Sequence, residues 1–176
     1  MKSLVVAASA VALLALPGLA SAQEATTVYG NIGYAHVDVE DADLGAIQAR
    51  LGARFHPNFG VEGEAAFGIN DEDVTIAPGV NGSLELKHQL GIYGVAFLPV
   101  NENFDLLARV GYSTAEVEAN VTGLGSGSDD DSGWAFGVGG QYFFDGVNGV
   151  RVDYTRHEYD DDIDADIWSI AYSRRF

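Results

Sequence analysis

The sequence predicts an all-β fold: an eight-stranded antiparallel up-and-down transmembrane β-barrel with short periplasmic turns and longer extracellular loops. Three observations predict it. An apolar leader of secretory type opens the chain, eight short segments of alternating polarity follow it, and the last of them ends on the aromatic residue Phe176. An exported chain built of such segments, with no long apolar helix after its leader, has few destinations other than the outer membrane.

The leader has three parts. Lys2 supplies the positive charge, Leu4 to Leu16 an apolar run, and Pro17-Gly18 a break before the small residues Ala20-Ser21-Ala22, which predict cleavage before Gln23. The run is too short to cross a bilayer, which takes roughly 20 helical residues. Residues 1–22 are therefore expected to be a cleavable signal and residues 23–176 one barrel domain.

The predicted strands run from Thr27 to Val37, Ile47 to Phe55, Val61 to Ile69, Leu84 to Phe97, Phe104 to Val117, Gly133 to Phe144, Gly149 to Glu158 and Ile167 to Phe176. Each alternates, so successive side chains point to opposite faces of a sheet. In the second, Ile47, Ala49, Leu51, Ala53 and Phe55 make an apolar face, and Gln48, Arg50, Gly52 and Arg54 a polar one. In the third, Val61, Ala65, Phe67 and Ile69 oppose Glu62, Glu64, Ala66 and Gly68. A soluble sandwich would also have an apolar face. Glycine mixed with paired charges on the opposite face fits the packed polar interior of a narrow barrel.

The connections alternate in length. His56 to Gly60, Leu98 to Asn103 and Asp145 to Asn148 are short, whereas the intervening ones are longer and acidic. Of the 26 carboxylates, 18 fall near the long-loop end, including Asp129-Asp130-Asp131 and Asp160-Asp161-Asp162. The formal net charge of −17 is thus a property of one rim. Two aromatic girdles are predicted, with Phe55, Phe59, Phe104, Tyr142, Phe144 and Phe176 near the turns and Tyr34, Phe67, Tyr112, Trp134, Tyr154 and Trp168 towards the loops.

Several function classes are excluded or disfavoured. Nucleic acid requires a basic surface, which this chain lacks. With no cysteine, disulfides, thiolate metal sites and a cysteine nucleophile are excluded. Gly123 to Ser128 has neither the lysine nor the following helix of a phosphate cradle. A lipid-modifying barrel would need a serine beside a histidine base; His36, His56, His88 and His157 show no such pattern and are expected to be rim or turn residues. No catalytic, cofactor or metal site is predicted and the protein is expected not to be an enzyme. The acidic runs lack calcium-loop spacing, so any divalent binding is expected to be loose, bridging the loops to anionic lipopolysaccharide.

The predicted interior holds Arg50, Arg54, Glu62, Glu64, Glu85, Lys87, Gln89, Arg109, Gln141, Arg151 and Asp153. The turn between the second and third strands is expected to place Arg54 nearly opposite Glu62 and Arg50 diagonal to Glu64, within reach of cross-strand pairing. These pairs neutralise a sealed lumen; the alternative is a gate in which Arg109 exchanges carboxylate partners and opens a narrow solute channel.

Gly133-Trp134-Ala135-Phe136-Gly137-Val138-Gly139-Gly140-Gln141-Tyr142-Phe143-Phe144 with Val150-Arg151-Val152-Asp153-Tyr154-Thr155-Arg156, and Arg54-Phe55-His56-Pro57-Asn58-Phe59-Gly60-Val61-Glu62, resemble the outer-membrane protein β-barrel domain family. Its members are small eight-stranded barrels similar to the transmembrane domain of outer membrane protein A. The resemblance covers the whole domain, and its motifs are architectural. It implies that Phe176 is read by the barrel-assembly machinery, although Arg174 stands where the family usually has a second aromatic and Tyr172 precedes it instead. A wall-binding domain, as larger relatives carry, is not expected after Phe176. The expected protein is a monomeric scaffold or surface-interaction protein among outer-membrane lipid and lipopolysaccharide.

Overall fold

The computed structural model describes residues 26–39, 42–77, 80–121, 125–159 and 164–176; the predicted leader lies outside them, as do Asp160, Asp161 and Asp162. Among the described residues nine strands follow one another: β1 (Thr27–Val39), β2 (Ala42–His56), β3 (Phe59–Gly68), β4 (Asp71–Ala77), β5 (Val80–Pro99), β6 (Phe104–Val121), β7 (Gly125–Phe143), β8 (Asn148–Tyr159) and β9 (Asp164–Arg175). Every pairing is antiparallel. Eight strands, all but β4, form a closed ring, because β3 pairs β5 and β9 pairs β1. Closure leaves no strand edge inside the lipid, where an unpaired backbone group costs several kcal/mol.

The seam between β1 and β9 runs from Tyr29↔Arg175 to Asp38↔Asp166. Phe176 extends it, its amide donating to the Val28 carbonyl at 2.8 Å. The closing strand is thus bonded to its last residue.

The wall inverts the arrangement of a soluble protein. Leu51 and Ile92 are 63% and 68% exposed, whereas Arg151 and Glu62 are 0% and 1% exposed. Alternation produces this directly: β8 buries Arg151, Asp153, Thr155 and His157 and turns Val150 and Val152 outward.

Three short turns close one end. Asn58 accepts a backbone hydrogen bond from Phe97 and donates Nδ2 to the Phe97 carbonyl at 2.9 Å; Asn103 treats Phe143 likewise, at 2.7 Å. Each asparagine ties its turn to the next hairpin. Gly146 takes φ +78° in the third turn, a left-handed conformation that strains a side-chain-bearing residue.

At the other end the strands continue past the membrane. β5, β6 and β7 are 20, 18 and 19 residues long, whereas about 9 to 11 tilted residues span the hydrocarbon. Tyr112 and Trp134 mark the boundary, opposite each other and ring to ring at 5.8 Å. Beyond them the register pairs Glu116 with Asp130 and Val121 with Gly125. The third long connection is thus mostly ladder. The second contains β4, which pairs β5 from Asp71↔Glu85 to Ala77↔Val80.

Two expectations about the interior are corrected. A bulge between Leu86 and His88 inserts Lys87 as an extra residue, and an extra residue moves the following side chains to the other face. Leu86 therefore points inward, while Lys87 and Glu85 are only half-buried. The two-residue turn at Pro57-Asn58 and a register shift between Arg54 and His56 also set another register than expected: Arg50 lies directly opposite Glu64, and Arg54 faces Gly60 rather than Glu62.

Candidate functional site

The lumen is filled in layers. Nearest the turns, Asp105 accepts from Arg54 Nη1 and Arg175 Nη2, each at 3.0 Å, and from Gln141 Nε2 at 2.9 Å. Arg54 and Arg175 lie over the rings of Phe97 and Phe143, at 4.4 and 3.5 Å. These contacts combine charge pairing with cation–π attraction at the inner mouth.

The middle layer holds three arginines and three carboxylates. Glu64 accepts from Arg109 Nη2 at 2.6 Å, Arg50 Nε at 2.7 Å and the Tyr93 hydroxyl at 3.1 Å. Asp153 accepts from Arg50 Nη1 at 2.8 Å and Ser169 Oγ at 2.9 Å. Glu62 accepts from Arg151 and, at 2.8 Å, from the Tyr29 hydroxyl. The formal charges cancel, as they must where removing one partner of a buried pair costs about 3–5 kcal/mol.

Glycines on neighbouring strands make this packing possible. A Cβ on Gly52 would lie 2.3 Å from the Tyr29 ring, and one on Gly137 would lie 2.8 Å from Arg109 Cγ. Arg109 occupies that space and sits 3.6 Å from the centroid of the Tyr93 ring.

Towards the loops, His157 Nδ1 lies 2.9 Å from Ser113 Oγ, and its ring stacks on Tyr159. Here the expectation for His157 is corrected: it is a luminal residue, 1% exposed, because it continues the inward row of β8. His56 is exposed at the end of β2, His36 is partly exposed near the end of β1, and His88 is partly exposed in the middle of β5. Above His157 comes an apolar plug of Ala35, Val37, Leu44, Ala46, Ala66, Leu86, Ala115, Ala165 and Ile167. The plug lies between the loop-end rim and the charged middle layer.

Eight predicted luminal residues are buried in the interior: Arg50, Glu62, Glu64, Gln89, Arg109, Gln141, Arg151 and Asp153. Asp105, Ser169, Tyr29 and Tyr93 belong with them and escaped sequence reasoning. Asp105, Leu107 and Arg109 alternate, a signal sufficient for Asp105, whereas the hydroxyls of Tyr29 and Tyr93 find their carboxylates only when the barrel is closed. Among the described residues no group of three or more His, Asp or Glu side chains is arranged to hold a metal ion.

Outside, β4, β5, β6 and β7 continue as a four-stranded sheet beyond the ring. β7 pairs β8 only from Gly133↔Tyr159 downward, so Gly125 to Ser132 are bonded on one side alone among the described residues. β4 pairs only β5. Both free edges carry acid: Asp71, Glu72 and Asp73 on β4, and Asp129, Asp130 and Asp131 on β7.

A family model described as the outer membrane protein beta-barrel domain matches residues 5–176. No curated protein gives a significant match. Among solved structures, the attachment invasion locus protein Ail of Yersinia pestis, crystallised with the heparin analogue sucrose octasulfate, aligns with TM-score 0.65 at 18% identity, covering 86% of this chain and 99% of that one. Neisserial surface protein A aligns with TM-score 0.58 at 10% identity, over 86% and 97%. The N-terminal barrel of Pseudomonas aeruginosa OprF aligns with TM-score 0.57 at 9% identity, over 84% and 96%. At these identities the likeness is one of fold.

Proposed function

Since the chain belongs to the outer membrane protein beta-barrel domain family and is an outer-membrane β-barrel with a structural or surface role, we propose that it is a solute-tight barrel presenting its extracellular sheet as a docking edge. One observation carries the reading: the β4–β7 sheet continues beyond the closed ring with strand edges that, among the described residues, are open on both sides. An open edge adds an incoming strand through main-chain hydrogen bonds. The acidic residues along both edges disfavour self-pairing by like-charge repulsion, and they attract an extended basic segment. The filled lumen and apolar plug support closure to solutes, so the barrel acts as the anchor. Loose divalent cations over the acidic residues would weaken peptide docking and favour contact with lipopolysaccharide.

The test uses the full chain in lipid nanodiscs and a fluorescent peptide of alternating lysine and valine. Saturable binding is expected, reduced at least tenfold by reversing Asp130 and Asp131 to lysine, and abolished when the peptide is N-methylated at alternate residues. Equal binding of the methylated peptide would show charge attraction without strand addition and sink the reading.

A further inference from the structure

Among the described residues the charge pairing leaves one cation over. Arg50, Arg54, Lys87, Arg109, Arg151, Arg156 and Arg175 each have a carboxylate within 4.0 Å. Among the described residues Arg174 is the one Lys or Arg side chain without such a partner, in a chain with 26 acidic residues. It is exposed on the outward face of β9, between Tyr172 and Phe176, and its guanidinium lies 5.7 Å from the Phe176 ring centroid. That row of aromatics belongs to the turn end, at the depth of headgroups of the periplasmic leaflet.

Beside this rim the lipid-facing wall is indented. Gly140 presents no side chain, and an apolar groove of about 640 Å³ opens around it. Leu106, Val138 and Val152 line the groove, with Phe104 and Tyr142 at its turn end and Tyr154 and Trp168 at its loop end. Val150 also lines it and pairs with Tyr172, so Arg174 is one strand away and two residues further along. Two residues advance about 7 Å along a strand, a distance an arginine side chain can bridge.

The two ends of the groove differ in charge. At the loop end, Arg156 is already held by Asp164 and Asp166. At the turn end, the carboxylate of nearby Asp145 is occupied by the amides of Val147 and Asn148, leaving Arg174 as the available charge. We propose that this groove holds an acyl chain of one phospholipid of the periplasmic leaflet while Arg174 binds its phosphate. Arginine suits this position because its stem can lie along apolar surface while its guanidinium pairs with phosphate in the headgroup layer.

The experiment is native mass spectrometry of the chain refolded into phosphatidylethanolamine–phosphatidylglycerol vesicles, with lipopolysaccharide included in a parallel arm. Heat-modifiable gel mobility confirms that each variant is folded. The wild type is expected to keep one phospholipid under activation that strips the rest. Arg174→Glu should lower that retained fraction about tenfold, the scale of one charge-assisted contact. Arg174→Lys should retain most of it, and Val152→Trp, an outward substitution that fills the groove, should lower it as Arg174→Glu does. Equal retention by wild type and Arg174→Glu would leave only the ordinary lipid annulus and overturn the site. Unchanged retention in Val152→Trp would overturn the groove, and retention of lipopolysaccharide in place of phospholipid would overturn the leaflet.

Discussion

The Tyr29 hydroxyl donates a 2.8 Å hydrogen bond to Oε1 of Glu62, the same carboxylate that Arg151 grips from the far wall of the lumen. Strands β1, β3 and β8 are thereby joined through one oxygen atom. Tyr29→Phe should cost about 1.5–3 kcal/mol, the net worth of a hydrogen bond to a charged group. Arg151→Ala, which strands a buried carboxylate, should cost about 3–5 kcal/mol. Glu62→Gln combined with Arg151→Met should recover most of that loss. Urea unfolding in vesicles measures all three; an Arg151→Ala barrel as stable as wild type would mean that Glu62 is solvated rather than paired.

Glycine positions predict a second contrast. A Cβ on Gly111 would lie 2.2 Å from the Ile92 carbonyl oxygen and 2.4 Å from Tyr93 Cδ1, whereas one on Gly63 meets nothing within 4 Å. Gly111→Ala should therefore destabilise by about 1–3 kcal/mol, as overpacking does, and Gly63→Ala should be near neutral. Similar unfolding midpoints for the two would show that the Ile92 backbone and the Tyr93 ring both shift without cost.

Period-two alternation made the barrel and most of its lumen legible in the sequence. Arg50, Glu64, Arg109 and Asp153 could be placed inside because an unbroken alternation needs no knowledge of partners. Where the period slips, the reading slips too: the bulge at Lys87 exchanges Leu86 for Lys87 on the inner face, and no residue type there announces it. Pairing across the lumen was illegible for another reason. Arg151 meets Glu62 from 89 residues away, and only closure brings such residues together. The acidic connections read as loops because Asp and Glu disfavour strands, yet in the structure Asp130 continues a ladder opposite Glu116.

The lumen's layering predicts electrical silence. Arg109 is held by both Glu64 and Asp153, at 2.6 and 3.5 Å, and the plug containing Leu86, Val37 and Ile167 lies between this layer and the outside. Wild type and Arg109→Ala should both stay at baseline conductance in a planar bilayer. Arg109→Ala combined with Leu86→Ser and Ile167→Ser, which opens both layers, should give discrete conductance steps. Steps from Arg109→Ala alone would revive the gate in which arginine exchanges partners.

Asp145 supplies a pH prediction at the turn end. Its Oδ1 accepts from the amides of Asn148 at 2.6 Å and Val147 at 2.9 Å, and its Oδ2 from Asn148 Nδ2 at 2.8 Å. These donors, the Asn148 amide foremost, favour the ionised carboxylate and pull its pKa from an ordinary 3.8 to about 2. A folded-state pKa below the unfolded one means that the turn's contribution is complete above the unfolded value and is lost as pH falls through the folded one. Asp145→Ala should therefore be less stable than wild type at neutral pH, with the gap narrowing as pH falls below about 4 and closing near 2. Because Asp145 is fully exposed, added salt should shrink the gap at neutral pH only slightly if the short amide contacts carry it. Parallel unfolding midpoints of the two proteins from pH 7 to pH 2, measured by tryptophan fluorescence, would show that the carboxylate contributes nothing to the turn.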